Sequence, residues 1–234
     1  MATYRDTHIQ NFIKDNRKNI QTLDFDTVYV NADQELSNDE VGTMTEMFLT
    51  SGIDVLAYLK EEIPAGYLWG SDIAIDTIKI PEHIVTIRLE AFSNTSNIRK
   101  VIMHDNVTVM GSGVFNTSNV EEVVLSKGLI NLPRRTFEGC NKLRKIIIPD
   151  GYLCLRRNSF YRCSELEEVV LPDSLEDIRE FAFFNCPKLK FLRLPDNISR
   201  ISPQVFDKDI TIECKEGSYA HEYCIKKGIK HVTR

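Results

Sequence analysis

Two stretches decide the fold: Thr136-Phe-Glu-Gly-Cys-Asn-Lys-Leu-Arg-Lys-Ile-Ile-Ile-Pro149 and Ala182-Phe-Phe-Asn-Cys-Pro-Lys-Leu-Lys-Phe-Leu-Arg-Leu-Pro195. In each, a cysteine follows the first phenylalanine by three positions. An apolar segment Φ-x-x-Φ-x-Φ comes next, and a proline closes it. The phenylalanine recurs at Phe92, Phe115, Phe137, Phe160, Phe183 and Phe206, at intervals of 23, 22, 23, 23 and 23. The apolar segment recurs at 75–80, 98–103, 120–125, 143–148, 166–171 and 189–194, with a partial copy at Ile210-Thr-Ile212. Proline follows at Pro81, Pro149, Pro172 and Pro195. It suits a strand end because it cannot donate to a ladder. Residues 63–73 read as a degenerate first copy, with Leu68 in place of the phenylalanine.

A 23-residue period with this apolar pattern reads as a leucine-rich-repeat solenoid. One repeat cannot bury its own apolar face, so the core must run continuously through stacked repeats. The two opening stretches resemble the BspA-like leucine-rich-repeat family, whose hallmark is A-F-x-x-C-x-x-L-x-x-I-x-I-P. The stretch Gly217-Ser-Tyr-Ala-His-Glu-Tyr-Cys-Ile-Lys-Lys-Gly-Ile-Lys-His-Val232 is similar to that family's closing helix and last strand. The resemblance covers about residues 63–232. It implies a non-enzymatic binding module. Many such proteins are secreted or surface-attached in bacteria, and shorter, signal-less ones occur in bacteriophage genomes. This chain resembles the shorter kind, which implies a phage-encoded inhibitor of a host defence protein.

The expected fold class is therefore α/β: a solenoid with a short parallel sheet, an α-rich N-terminal cap and a C-terminal capping helix. Three regions follow: an acidic cap at 1–62, a solenoid of about seven strands at 63–212, and a C-terminal cap at 213–234. Ile9, Phe12, Ile13 and Ile20 form a helical face within residues 4–20. Leu23, Phe25, Val28 and Val30 suggest a short strand. Ser37-Asn-Asp-Glu40 is a capping box before the stripe Val41, Met44, Met47 and Phe48, and Gly52 is a stop.

Of the 234 residues, 42% are apolar and 27% charged, too apolar a composition for a disordered chain. The net charge of −5 is unevenly spread: residues 1–73 carry 5 Lys/Arg against 13 Asp/Glu, and residues 74–234 carry 24 against 21. A chain built to bind nucleic acid along its whole length would be basic overall, so charge favours a protein partner. No apolar run is long enough to cross a membrane and no secretory h-region is visible, so a cytoplasmic protein of a bacterial host cell is expected.

No G-x-S-x-G, H-E-x-x-H or P-loop appears. The cysteines Cys140, Cys154, Cys163, Cys186, Cys214 and Cys224 form no C-x-x-C pair. Cys140, Cys163 and Cys186 align with Thr95 and Ser118 of earlier repeats. That position asks for a small residue with a weak donor, packed inside the turn. An enzyme is not expected, and neither a cofactor nor a metal is called for.

Strand alternation sets the surface. In Φ-x-x-Φ-x-Φ the Φ residues face inward and the second, third and fifth positions face out. The fifth-position column is Lys79, Ile102, Val124, Ile147, Val170, Arg193 and Thr211. Its β-branched stripe, with Phe191 beside it, reads either as β-propensity alone or as the partner-binding surface, and self-association is one form of that binding. The second column (Asp76, Arg99, Glu121, Arg144, Glu167, Lys190) alternates in sign, as does the third over Lys100, Glu122, Lys145 and Glu168. Both read as structural ladders. A basic flank holds Arg134, Arg135, Arg156, Arg157 and Arg179, with Glu138, Glu176, Asp177 and Glu180 nearby. Arginine suits carboxylate or phosphate, so this flank is the alternative site, for an acidic protein or nucleic acid. Interleaved aromatics are too few there to favour base stacking.

Overall fold

The structure, a computed structural model, describes residues 61–71 and 75–234. Each repeat contributes two strands. The longer set comprises β2 (Thr77–Lys79), β4 (Lys100–Ile102), β6 (Glu122–Val124), β8 (Lys145–Ile147), β10 (Glu168–Val170), β12 (Phe191–Arg193) and β14 (Thr211–Cys214). The shorter set comprises β1 (Glu62–Ile63), β3 (Thr86–Ile87), β5 (Val109–Met110), β7 (Asn131–Leu132), β9 (Cys154–Leu155), β11 (Asp177–Ile178) and β13 (Arg200–Ile201). A single helix among the described residues, α1 (Tyr219–Lys227), and a last strand β15 (Lys230–Thr233) close the chain. All strand pairings are parallel. The expected solenoid and its C-terminal helix are present. The elements expected at residues 4–20, 23–30 and 37–52, and with them the α-rich cap, lie outside the described residues.

The second set of strands corrects the single-sheet expectation. The longer strands form ladders β2-β4-β6, β8-β10 and β12-β14-β15 on one face. The shorter ones form β1-β3-β5 and β7-β9-β11-β13 on another. Two further apolar columns supply the inward side of that second face. They are Ile84, Val107, Leu129, Tyr152, Leu175 and Ile198, then Ile87, Met110, Leu132, Leu155, Ile178 and Ile201, all buried. Two-residue strands hold because the solenoid supplies a neighbour above and below, which an isolated pair lacks.

The phenylalanines form the third side. Their rings stack along the axis with centroids 5.7, 5.3, 5.3, 5.3 and 6.0 Å apart, from Phe92 to Phe206. Each of Phe92, Phe115, Phe137, Phe160 and Phe183 donates its backbone N–H to the carbonyl just before the next phenylalanine, at 2.8–3.0 Å. Leu68 does the same to Ala91 at 2.7 Å, which makes it the first member of the column. Full burial of such a ring contributes about 1.5–3 kcal/mol.

The chain turns into and out of this column through the left-handed region. The residue two before each ring has positive φ: Gly66, Glu90, Gly113, Arg135, Asn158, Phe181 and Gln204. So does the residue two after: Gly70, Asn94, Thr117, Gly139, Arg162 and Asn185. Glycine and asparagine accept this conformation readily, whereas other side chains give up about 1–2 kcal/mol. The last turn is tied differently. Asp207 accepts from the backbone N–H groups of Asn185 (3.0 Å) and Cys186 (2.9 Å).

The C-terminal closure follows capping chemistry. Ser218 Oγ accepts from the N–H of His221 at the start of α1, Gly228 stops the helix at φ 64°, and Lys226 and Lys227 face the negative end of its dipole. Ala220 and Cys224 are its buried residues.

Candidate protein-binding surface

The longer strands carry the expected stripe. Each shows an exposed or half-exposed residue, a buried one, then another exposed or half-exposed one. Register sets Lys79 opposite Ile102, Ile102 opposite Val124, and Ile147 opposite Val170. Val124, Ile147 and Val170 are 42%, 56% and 42% exposed, and Phe191 is 49% exposed. Ile102 is only half-exposed, so the open apolar stretch starts at Val124. Register also corrects the end of the column. Arg193 lies opposite Glu213, and Thr211 lies opposite Phe191 in the neighbouring column. Arg193 Nε is 3.5 Å from Glu213, so the stripe ends on an ion pair.

The charge columns flank the stripe. Lys100 pairs with Glu122 at 2.7 Å and Lys145 with Glu168 at 2.8 Å. Arg99 reaches Asp76 at 3.5 Å and also pairs with Glu121. The alternation does not close into one ladder, however. Among the described residues no ion pair links Glu121 or Glu122 to Arg144 or Lys145, the place where the sheet lapses between β6 and β8. The turn leading into β6 is shortened: Val120 follows Phe115 by five residues, whereas Leu143 follows Phe137 by six.

The basic flank divides in two. Arg135 pairs with Glu138 (3.1 Å), Arg157 reaches Glu180 (3.7 Å) and Arg179 pairs with Asp177 (2.7 Å). Arg134 and Arg156 are exposed and have no carboxylate within 4 Å among the described residues. Three of the five arginines are thus engaged in holding the turns.

The cysteine column lies where the spacing puts it. Cys140, Cys163 and Cys186 are buried, and each donates its thiol to the carbonyl of a phenylalanine one repeat back: Phe115 (2.9 Å), Phe137 (2.9 Å) and Phe160 (3.0 Å). Ser118 and Thr95 donate instead to the phenylalanine of their own repeat, at 2.8 and 3.1 Å. Burial pushes the Cys140 and Cys186 thiols up to about 12 and that of Cys163 well above its ordinary value. Such thiols are poor nucleophiles and poor metal ligands. Among the described residues no three His, Cys, Asp or Glu side chains gather as a metal site, and no helix is long and apolar enough to cross a membrane.

One surface feature escaped the sequence reading. Tyr161, Phe181 and Phe184 form a half-buried cluster, with ring centroids 6.1, 6.4 and 5.7 Å apart. The Arg157 guanidinium lies 5.6 Å from the Phe181 centroid, and that of Arg162 lies 5.0 Å from the Tyr161 centroid. These residues come from two successive turns, so only the 23-residue offset would have joined them.

Known proteins share this architecture. A leucine-rich repeat protein from Bacteroides ovatus aligns over 77% of this chain and 53% of its own, with 20% identity and a TM-score of 0.56. A leucine rich cell surface protein from Faecalibacterium prausnitzii aligns over 66% of this chain and 35% of its own, with 26% identity and a TM-score of 0.50. The chain thus spans about a third to a half of those structures. No curated protein matches it. The model of the BspA type leucine rich repeat region matches six copies, over residues 63–153 and 85–225. Families of this kind are typically non-enzymatic binding modules, and no enzymatic family is indicated. With its repeat matched from Ile63 to the C-terminal helix, the chain belongs to the BspA-type leucine-rich-repeat family.

Proposed function

We propose that the chain is a non-enzymatic module that holds a partner protein on the face of the longer strands. The observation that carries this reading is the run of exposed apolar side chains Val124, Ile147, Val170 and Phe191. A contiguous exposed apolar surface on a folded monomer marks an interaction site. Pairing of β8 with β10 sets Ile147 beside Val170 at its centre. The flanking Lys100–Glu122 and Lys145–Glu168 pairs supply a polar rim.

A second reading is favoured by one observation, the likeness to a cell surface protein of Faecalibacterium prausnitzii. In it the same face acts outside the cell as an adhesin-type module. In the first reading the partner is a host defence protein and the place of action is the host cytoplasm, following the resemblance to phage-borne copies. Both use the stripe.

The test is site-specific photocrosslinking. A photoreactive phenylalanine replaces Ile147 or, as the control on the opposite ladder, Ile130. Crosslinking is run in host lysate and on intact cells. A protein adduct from position 147 that is absent at 130 supports the stripe, and the sample that yields it separates the two readings. An adduct from 130 alone would sink the assignment. An adduct with the chain itself identifies self-association.

A further inference from the structure

The turns around Phe160 and Phe183 bear the cluster of Tyr161, Phe181, Phe184, Arg157 and Arg162, on a different face from the stripe. Its geometry is costly. Phe181 is held at φ 58°, the left-handed conformation that this position takes in every turn, with Glu90, Arg135 and Gln204 among the side chains that bear it. A bulky side chain there gives up about 1–2 kcal/mol of backbone energy. The ring is not spent on the core, which at this level is already filled by Phe160 and Phe183. It lies half-exposed against Tyr161 and Phe184.

The cations are equally telling. Arg162 is exposed and has no carboxylate within 4 Å among the described residues. Arg157 has only the 3.7 Å contact with Glu180. Arg134 sits beside Arg157, because Leu132 and Leu155 are register partners two positions earlier. The rings hold the guanidinium planes of Arg157 and Arg162 in place, and the N–H fork of Arg162 meets no carboxylate among the described residues.

We propose that this cluster docks an acidic segment of a partner protein that carries an apolar side chain between its carboxylates. The carboxylates meet Arg157, Arg162 and Arg134, and the apolar side chain covers the exposed edges of Tyr161, Phe181 and Phe184. Charge complementarity selects the acidic partner. The ring faces select protein over nucleic acid. A stacked base needs an open aromatic face, and here guanidiniums lie over Phe181 and Tyr161.

The probe is a short labelled peptide of alternating glutamate and phenylalanine, titrated by fluorescence anisotropy with the full chain. An all-glutamate peptide and oligothymidylate of equal length serve as comparisons. The mixed peptide is expected to saturate and to bind more tightly than either. The double variant Arg157→Gln/Arg162→Asn, with asparagine chosen to tolerate the left-handed backbone, is expected to weaken it about tenfold. Ile147→Asp, on the other face, is expected to leave it unchanged, which separates this site from the stripe. If the double variant does not fold, Phe184→Asn with both arginines intact takes its place, and an equal loss is expected. Absence of saturable binding, a comparison probe binding as tightly as the mixed peptide, or full affinity in these variants would overturn the proposal.

Discussion

The thiol of Cys163 donates to the carbonyl oxygen of Phe137, 2.9 Å away and one repeat earlier. The link ties the side chain of one turn to the backbone of the turn before it. The same carbonyl also accepts the backbone N–H of Cys140 at 3.1 Å, so removing the thiol does not leave it unpaired. Cys163→Ala should therefore cost about 1–2 kcal/mol, a lost hydrogen bond plus a small void. Cys163→Ser should cost less, since Ser118 fills the equivalent place with its hydroxyl bonded at 2.8 Å. Urea unfolding of the two variants checks the order, and an alanine variant more stable than the serine variant would refute it.

The buried thiols also set an alkaline limit. Cys140 and Cys186 are raised by burial from an ordinary 9.0 to about 12. The unfolded chain ionises first, so their contribution is complete below about pH 9 and is lost as pH climbs from there towards about 12. The urea midpoint should fall between about pH 8 and about pH 10.5, and less steeply in Cys140→Ser/Cys186→Ser. Thiol labelling at about pH 8 should be slow in the native protein and rapid in urea. Identical pH slopes for the two proteins would contradict this account.

Phe137 lies between Phe115 and Phe160, both 5.3 Å away centroid to centroid. Phe137→Ala removes a ring from mid-stack and should cost about 3–5 kcal/mol. Because each repeat touches only its neighbours, the loss should also split the unfolding transition in two. Calorimetry reads both effects. A single transition with an unchanged midpoint would rule out the stack as the spine of the fold.

Gly111 is required by a close approach, not by its dihedral angles. A Cβ there would stand 2.4 Å from the backbone nitrogen of Leu89. Backbone cannot step aside as a side chain can, so Gly111→Ala should cost about 1–3 kcal/mol. Thermal unfolding measures it.

The surface ion pairs should matter little. Glu168 and Lys145 are both more than half exposed. Glu168→Gln should shift stability by less than about 1 kcal/mol, and by less still at high salt. A larger loss that persists in salt would show the pair to be structural.

What was legible in the sequence was whatever recurs at one fixed offset. Phe137, Cys140, Leu143, Ile146 and Ile148 repeat together, and their columns, strands and burial follow from that period. The shorter strands were less visible. Ile84 and Ile87, or Leu175 and Ile178, make only a two-point pattern, and Tyr152 replaces the aliphatic residue in one copy. Aligning Ile87, Met110, Leu132, Leu155, Ile178 and Ile201 on the phenylalanines would have found them. Thr211 was misplaced because the last repeat shortens after Phe206, and only backbone pairing settles its register. The arginine flank was located, but which arginines are paired depends on rotamers that no spacing encodes. The aromatic cluster was hidden for a related reason. Tyr161 and Phe181 belong to different columns of different repeats, and meet because the turn places one after its buried ring and the other before.

The lapses in the longer-strand ladder, between β6 and β8 and between β10 and β12, have a mechanical consequence. Backbone hydrogen bonds resist sliding and splaying of neighbouring strands, and at those two levels that resistance is missing on one side of the molecule. The phenylalanine stack runs through both levels unbroken. The solenoid is therefore built like a jointed rod on a continuous spine. Both interruptions lie on the face that carries Val124, Ile147, Val170 and Phe191.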